Sequence, residues 1–170
     1  TIVQPPSSWN LFDTDILRWL LERKFSLTLL RQFSELRVAI EPAAAALAAA
    51  KADASGRRLI EDGFARMAAA ERGDDDVLKA DIAFHIAILE ASGNPFYVQF
   101  RDVVETALRT SIRFTNRFKG HSASLGAHQA VRDAIIKGKA ETARKSMEAI
   151  IREVMALIDE AEASESGAPE

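Results

Sequence analysis

The segment Asp81-Ile-Ala-Phe-His85-Ile-Ala-Ile-Leu89 places two ionisable side chains four residues apart in an otherwise apolar run. On an α-helix that spacing puts both on one face. A helix that is apolar nearly all round lies buried between neighbours. Burying an aspartate and a histidine is costly unless each finds a partner, so the pair demands a hydrogen-bonded network, a metal ion or a bound polar ligand. The chain has only two further histidines, His121 and His128. His128 shares a helical face with Ser124, Val131 and Ile135, the face expected to turn inward. Asp81, His85 and His128 would together offer one oxygen and two nitrogens, a donor set compatible with zinc, nickel, manganese or iron. His121 stands seven residues before His128. On one helix that is about 10 Å along the axis, too far for both to reach one ion at about 2 Å each. Three readings of these residues stand side by side: a metal site, a buried Asp–His hydrogen-bond network, and unrelated core positions that are each satisfied locally.

A second group is basic. The stretch 95–118 carries Arg101, Arg109, Arg113 and Arg117, with Thr106, Thr110 and Thr115 among them. Arg109, Arg113 and Arg117 fall on successive turns of one stripe, and Phe96, Phe100, Val104, Leu108 and Ile112 mark the expected packed side. Arg37 sits in an apolar neighbourhood of Leu36, Val38 and Ile40. A guanidinium grips a carboxylate with two parallel bonds, so Arg37 together with Arg109 or Arg113 would suit an anionic, carboxylate-bearing small molecule. A solvated or dimer-facing edge is the plain alternative for each arginine.

The elements that must position these groups are helical. No sustained period-two alternation and no Asn-Gly or Asp-Gly hairpin turn appears. Apolar spacing predicts helices over 13–23, 27–54, 56–71, 76–92, 95–118, 122–137 and 139–163, with a kink at Pro42 because proline cannot donate the backbone bond and crowds the preceding turn. The alanines after Pro42 would let neighbouring helices approach closely. Gly73 followed by Asp74, Asp75 and Asp76 reads as a break and an acidic cap. Ser92-Gly93-Asn94-Pro95 reads as a helix end, a cap and a first helical position. Gly120 and Gly138 separate the later helices. The fold expected is all-α, an antiparallel bundle of about six or seven helices over 11–163. Residues 1–10 read as the remnant of a preceding domain and its linker, and 164–170 as a disordered tail.

Composition bounds what remains. The 170 residues are 48% hydrophobic and 28% charged, the balance of a single folded domain rather than a disordered chain. No cysteine is present, which removes disulfides, thiolate nucleophiles and cysteine metal sites. A formal charge of −3 supplies no broad basic surface for nucleic acid. No apolar run approaches the roughly 20 residues of a membrane span, and the expected location is cytoplasmic.

The ordered set Glu35-Leu-Arg37-Val-Ala-Ile-Glu41-Pro-Ala-Ala, Asp81-Ile-Ala-Phe-His85 with Ser92-Gly-Asn94, and His128-Gln-Ala-Val-Arg-Asp-Ala-Ile135 resembles the effector-binding (FCD) domain of GntR-superfamily transcription regulators of the FadR type. The resemblance runs from about Leu11 to Leu157. It implies a helical domain that forms a homodimer, senses a metabolite, and reaches operator DNA only through an N-terminal winged helix-turn-helix that this chain lacks. Thr1-Ile-Val-Gln-Pro and Trp9-Asn-Leu-Phe-Asp13 are similar to the end of the wing and the linker, particularly in relatives that respond to sugar acids such as galactonate. The resemblance also implies a divalent metal held by one aspartate and three histidines, with Asp81 in the aspartate role and His85 and His128 in two of the histidine roles.

The third histidine of that pattern falls at Ile150, which cannot ligate, and Met147 and Glu153 are poor or angularly displaced substitutes. A three-ligand zinc, nickel or manganese site and a metal-free pocket both remain open. So do two other classes of function: a metal-dependent enzyme built on a two-histidine, one-carboxylate site, for which no nucleophile or general base is evident, and a purely structural dimerisation module.

Overall fold

The computed structural model describes residues 9–23, 26–119 and 124–166, without the side chains of 21–23, 115–119 and 165–166. His121, Gly120, the side chain of Arg117 and the first eight residues lie outside what is described. Eight helices occur among the described residues: α1 (Thr14–Arg23), α2 (Leu27–Lys51), α3 (Ala54–Glu71), α4 (Val77–Ala91), α5 (Pro95–Gln99), α6 (Arg101–Lys119), α7 (Leu125–Ile136) and α8 (Ala140–Ser166). The fold is an all-α bundle.

Most boundaries follow from local chemistry. The Ser26 hydroxyl accepts from Leu29 N and opens α2. The Asp76 carboxylate accepts from Lys79 N at 2.8 Å and opens α4. Asn94 accepts from Phe96 N with Pro95 at the first helical position of α5. Each cap satisfies an amide that the first helical turn leaves without a partner. Gly138 takes a φ of +67° in the turn between α7 and α8, a conformation costly for any residue with a Cβ. That tight turn folds α8 back along α7.

Four boundaries differ from the sequence expectation. The expected helix 27–54 stops at Lys51, and α3 starts at Ala54, because Asp53 accepts from Gly56 N at 2.8 Å and caps a new helix inside an alanine-rich context. Helix α2 continues through Pro42 without interruption. The expected helix 95–118 is two helices, divided at Phe100, whose N–H bonds Tyr97 O while its carbonyl accepts from Val104 N. This single break shifts the helical phase: Val104, Leu108 and Ile112 are buried as expected, whereas Phe96 is 78% exposed. Helix α8 extends to Ser166.

The core forms where α2 packs along α8, α3 along α4, and α7 against both α8 and α3. Ala44, Ala45 and Ala48 are fully buried on α2, so their small side chains permit close helix contact. Phe84, Ile60, Leu89, Ile135, Met147 and Ile151 fill the centre, each contributing on the order of 1.5–3 kcal/mol by leaving water. Helices α3 and α4 meet so closely at Gly63 that a Cβ there would stand 3.0 Å from Phe84 Cα. That contact fixes the axial position of α4, the helix that carries Asp81 and His85. No helix among the described residues is long and apolar enough to cross a membrane.

Candidate metal centre

Three helices deliver the polar groups of the core. Helix α4 presents Asp81 and His85 one turn apart, α7 presents His128 beside buried Val131 and Ile135, and α2 presents Arg37 and Glu41 one turn apart. None of the five is more than 3% exposed. Phe84 packs edge-on against His128 with ring centroids 5.3 Å apart, walling the site on one side.

His85 Nε2 and His128 Nε2 each lie 3.3 Å from Asp81 Oδ1, and 3.4 Å from one another. The outer nitrogens have different partners. His85 Nδ1 is 2.5 Å from Glu41 Oε2, and His128 Nδ1 is 3.0 Å from the Ser124 carbonyl oxygen. Both partners are acceptors, so both Nδ1 atoms donate. In the neutral rings this leaves the two Nε2 lone pairs facing each other and an aspartate oxygen. Asp81 Oδ1 has no hydrogen-bond partner among the described residues, a costly state for a buried carboxylate.

This arrangement fits a divalent cation. The three donor atoms form a triangle with sides of 3.3–3.4 Å, the face of a tetrahedron with a centre-to-corner distance of about 2.0–2.1 Å, which is the zinc–nitrogen distance. Asp81, His85 and His128 could coordinate such an ion. Zinc, nickel and manganese are all compatible with the donor set.

Electrostatics describes the same site filled by protons instead. Burial works against charge on His85, but Glu41 and Asp81 beside it raise its pKa to about 9. Burial works likewise against the Asp81 carboxylate, yet the two imidazoles hold it below the usual carboxylate range. Glu41, also opposed by burial, is held at about 2 by Arg37 and His85. The cluster gathers positive charge at the point where the three donors meet.

The arginines predicted from sequence do not converge. Arg37 is buried and donates from Nε to Glu41 Oε1 at 2.6 Å and from Nη2 to Glu41 Oε2 at 3.5 Å. Arg109 pairs with Glu105 at 2.6 Å on the half-exposed flank of α6. Arg113 is exposed. Ile150 lies on α8 as part of the main apolar core. Sequence reasoning passed over Glu41 as a site residue. Its signal was present: Glu41 stands four residues after Arg37, flanked by Ile40 and Pro42, the same one-turn spacing that singled out Asp81 and His85.

The FCD domain profile matches residues 32–153 of the chain. An Escherichia coli (strain K12) protein described as an uncharacterized HTH-type transcriptional regulator, YieP, is 30% identical over 154 residues, covering 89% of this chain and 66% of the relative. The galactonate operon transcriptional repressor of the same organism is 34% identical over 137 residues, covering 78% of this chain and 59% of the repressor. The chain therefore spans about two thirds or less of the length of these curated relatives. Among solved structures, Streptococcus agalactiae GntR superposes with a TM-score of 0.64 at 22% identity, over 80% of this chain and 62% of that one, a likeness of fold. With an all-α bundle enclosing the Asp81, His85 and His128 triangle, and with the profile spanning most of its helices, the chain belongs to the FCD-domain family of GntR-superfamily regulators.

Proposed function

We propose that this chain is the sensing and dimerisation part of a transcription regulator, and that a small organic acid binds at a divalent ion held by Asp81, His85 and His128. The observation that carries this reading is the unpartnered Asp81 Oδ1 set between two imidazole nitrogens at 3.3 Å. A bound cation would supply Lewis acidity toward an effector carboxylate, and three protein donors leave coordination positions open for it. Arg37 is the nearer of the proposed guanidinium contacts. Its Nε and Nη2 face Glu41, so its contact with an effector would be made through Nη1. Arg109 and Arg113 lie on the outer flank of α6, so either would have to turn inward to share that contact.

A sugar acid is the proposed class of effector, supported by the likeness to the galactonate operon repressor. Effector binding regulates only if it favours one arrangement of the homodimer over another, since equal affinity for both shifts nothing. Contact with operator DNA is assigned to a winged helix-turn-helix outside this chain. The family is regulatory and non-catalytic, which sets aside an enzyme built on the same three ligands.

The test is metal analysis of untagged protein, followed by calorimetric titration of a sugar-acid panel into metal-loaded and chelated forms. Near-stoichiometric metal, with acid binding lost on chelation, is expected. Acid binding that survives chelation would replace the metal mechanism with recognition by hydrogen bonds and arginine. Light scattering on the same samples reads the dimer.

A further inference from the structure

The effector reading leaves Glu41 without a task, although its side chain is only 1% exposed and both of its oxygens are engaged. A buried carboxylate is costly, and a buried ion pair can commonly be replaced by apolar side chains without loss of stability. The Arg37–Glu41 pair therefore needs a reason beyond holding α2 in place. The geometry supplies one. Glu41 Oε2 lies 2.5 Å from His85 Nδ1, on the side of the ring opposite the Nε2 that faces Asp81. His128 is oriented differently, by the neutral Ser124 carbonyl at 3.0 Å. A carboxylate on the outer nitrogen of an imidazole fixes its tautomer and makes the inner nitrogen a stronger donor. The two imidazoles of the triangle are thus unequal.

We propose that Glu41 is a positioning residue for the centre: charge-balanced by Arg37, it holds the Nδ1 proton of His85 and presents the His85 Nε2 lone pair to the point shared with Asp81 and His128. The proposal rests on the divalent-cation reading given above. It assigns Arg37 first to Glu41 and only secondarily to an effector, and it makes α2 a mechanical partner of the centre without supplying a ligand.

The experiment uses the 170-residue chain as wild type, as Glu41→Gln, and as the double variant Arg37→Met/Glu41→Gln, which removes both buried charges. Zinc alone is the probe, titrated in competition with a chromophoric chelator. Imidazole proton and nitrogen NMR reads the Nδ1–H of His85 and of His128 in parallel. The wild type is expected to bind zinc, with the His85 Nδ1 proton shifted downfield of that of His128 by its short bond to a carboxylate. Both variants are expected to keep their helical content and to bind zinc about ten- to a hundredfold more weakly, with the His85 proton moving upfield and His128 unchanged.

Variants that bind zinc as the wild type does would overturn the proposal, because a merely structural pair changes stability and leaves affinity alone. If the single variant fails to fold, the double variant makes the same comparison. If wild type binds no zinc, the cation reading fails separately, and the wild-type NMR still decides the matter: a His85 Nδ1 proton indistinguishable from that of His128 would exclude the role of Glu41.

Discussion

His85 and His128 direct their Nε2 atoms at one another across 3.4 Å, and each is 3.3 Å from the same oxygen of Asp81. Helices from distant parts of the chain meet at that point with three acceptor atoms and no donor between them. Something positive must occupy the gap, a proton or a metal ion, and the two alternatives respond differently to substitution and to pH.

Asp81→Ala removes the oxygen that has no partner and should abolish zinc uptake. It should also destabilise the metal-free protein, because the buried His85 loses one of the two carboxylates that hold its proton. Zinc at a hundredfold excess over its Kd should stabilise the wild type by about 2.7 kcal/mol and leave the variant unmoved. Thermal melts with and without zinc measure both effects. A zinc-dependent rise in Tm that persists in Asp81→Ala would contradict the assignment.

Opposite limbs of a pH profile belong to Glu41 and His85. Glu41 is held at about 2 in the folded protein, below the ordinary glutamate value of 4.5, so its contribution to stability is complete above about pH 4.5 and is lost as pH falls toward 2. His85 is raised to about 9 from 6.5, so its contribution is complete below about pH 6.5 and is lost as pH rises through 9. Denaturant unfolding of the metal-free protein should therefore show highest stability between these limits.

Zinc reverses the upper limb. Coordination through His85 Nε2 requires removal of the proton bound there, so affinity should climb from pH 6 to 9 and uptake near pH 7 should release about one proton per ion. Titration calorimetry in buffers of different ionisation enthalpy counts that proton. An uptake enthalpy independent of buffer would mean that His85 is not a ligand.

Ile150→His tests the position at which the sequence resemblance would place a further histidine. Burying an imidazole in the apolar core should destabilise the metal-free protein by about 1–3 kcal/mol. If the added ring completes the centre, zinc affinity should rise at least tenfold and recover that loss. Destabilisation with unchanged affinity would place Ile150 away from the ion.

Gly63→Ala should act at a distance. The added methyl would stand 3.0 Å from Phe84 Cα and 3.3 Å from Phe84 N, and backbone atoms cannot swing aside as a flexible side chain can. Parting α3 from α4 should cost about 1–3 kcal/mol, partly offset by the better helix propensity of alanine. Because Phe84 lies between Asp81 and His85 in sequence, zinc affinity should fall along with the urea midpoint. A change in stability alone would show that α4 shifts without disturbing its ligands.

Local signals carried much of this protein into view. Asp81 and His85 belong to one helix, so their shared face follows from a spacing of four, and caps such as Asp76 and Asn94 act on amides two or three residues away. The pairing of His128 with them was legible from the apolar company it keeps on α7. The division at Phe100 and the start of α3 at Ala54 were not: a one-residue interruption leaves apolar spacing intact on both sides, and Asp53 sits among alanines that suit a helix either way. Glu41 was obscured for a related reason, since a charged residue between Ile40 and Pro42 reads as an isolated event until its partners are located.

Most helices, their apolar faces and the inward turn of Asp81, His85 and His128 can be read along the chain, because these depend on contacts within about one turn. It takes helix packing to bring Glu41 of α2 to His85 of α4 and to leave the Arg109–Glu105 pair on the outer flank of α6. Partners 44 residues apart, as Glu41 and His85 are, are joined by helix packing, which depends on how side chains from several elements fill one volume and leaves no periodic trace in any single segment.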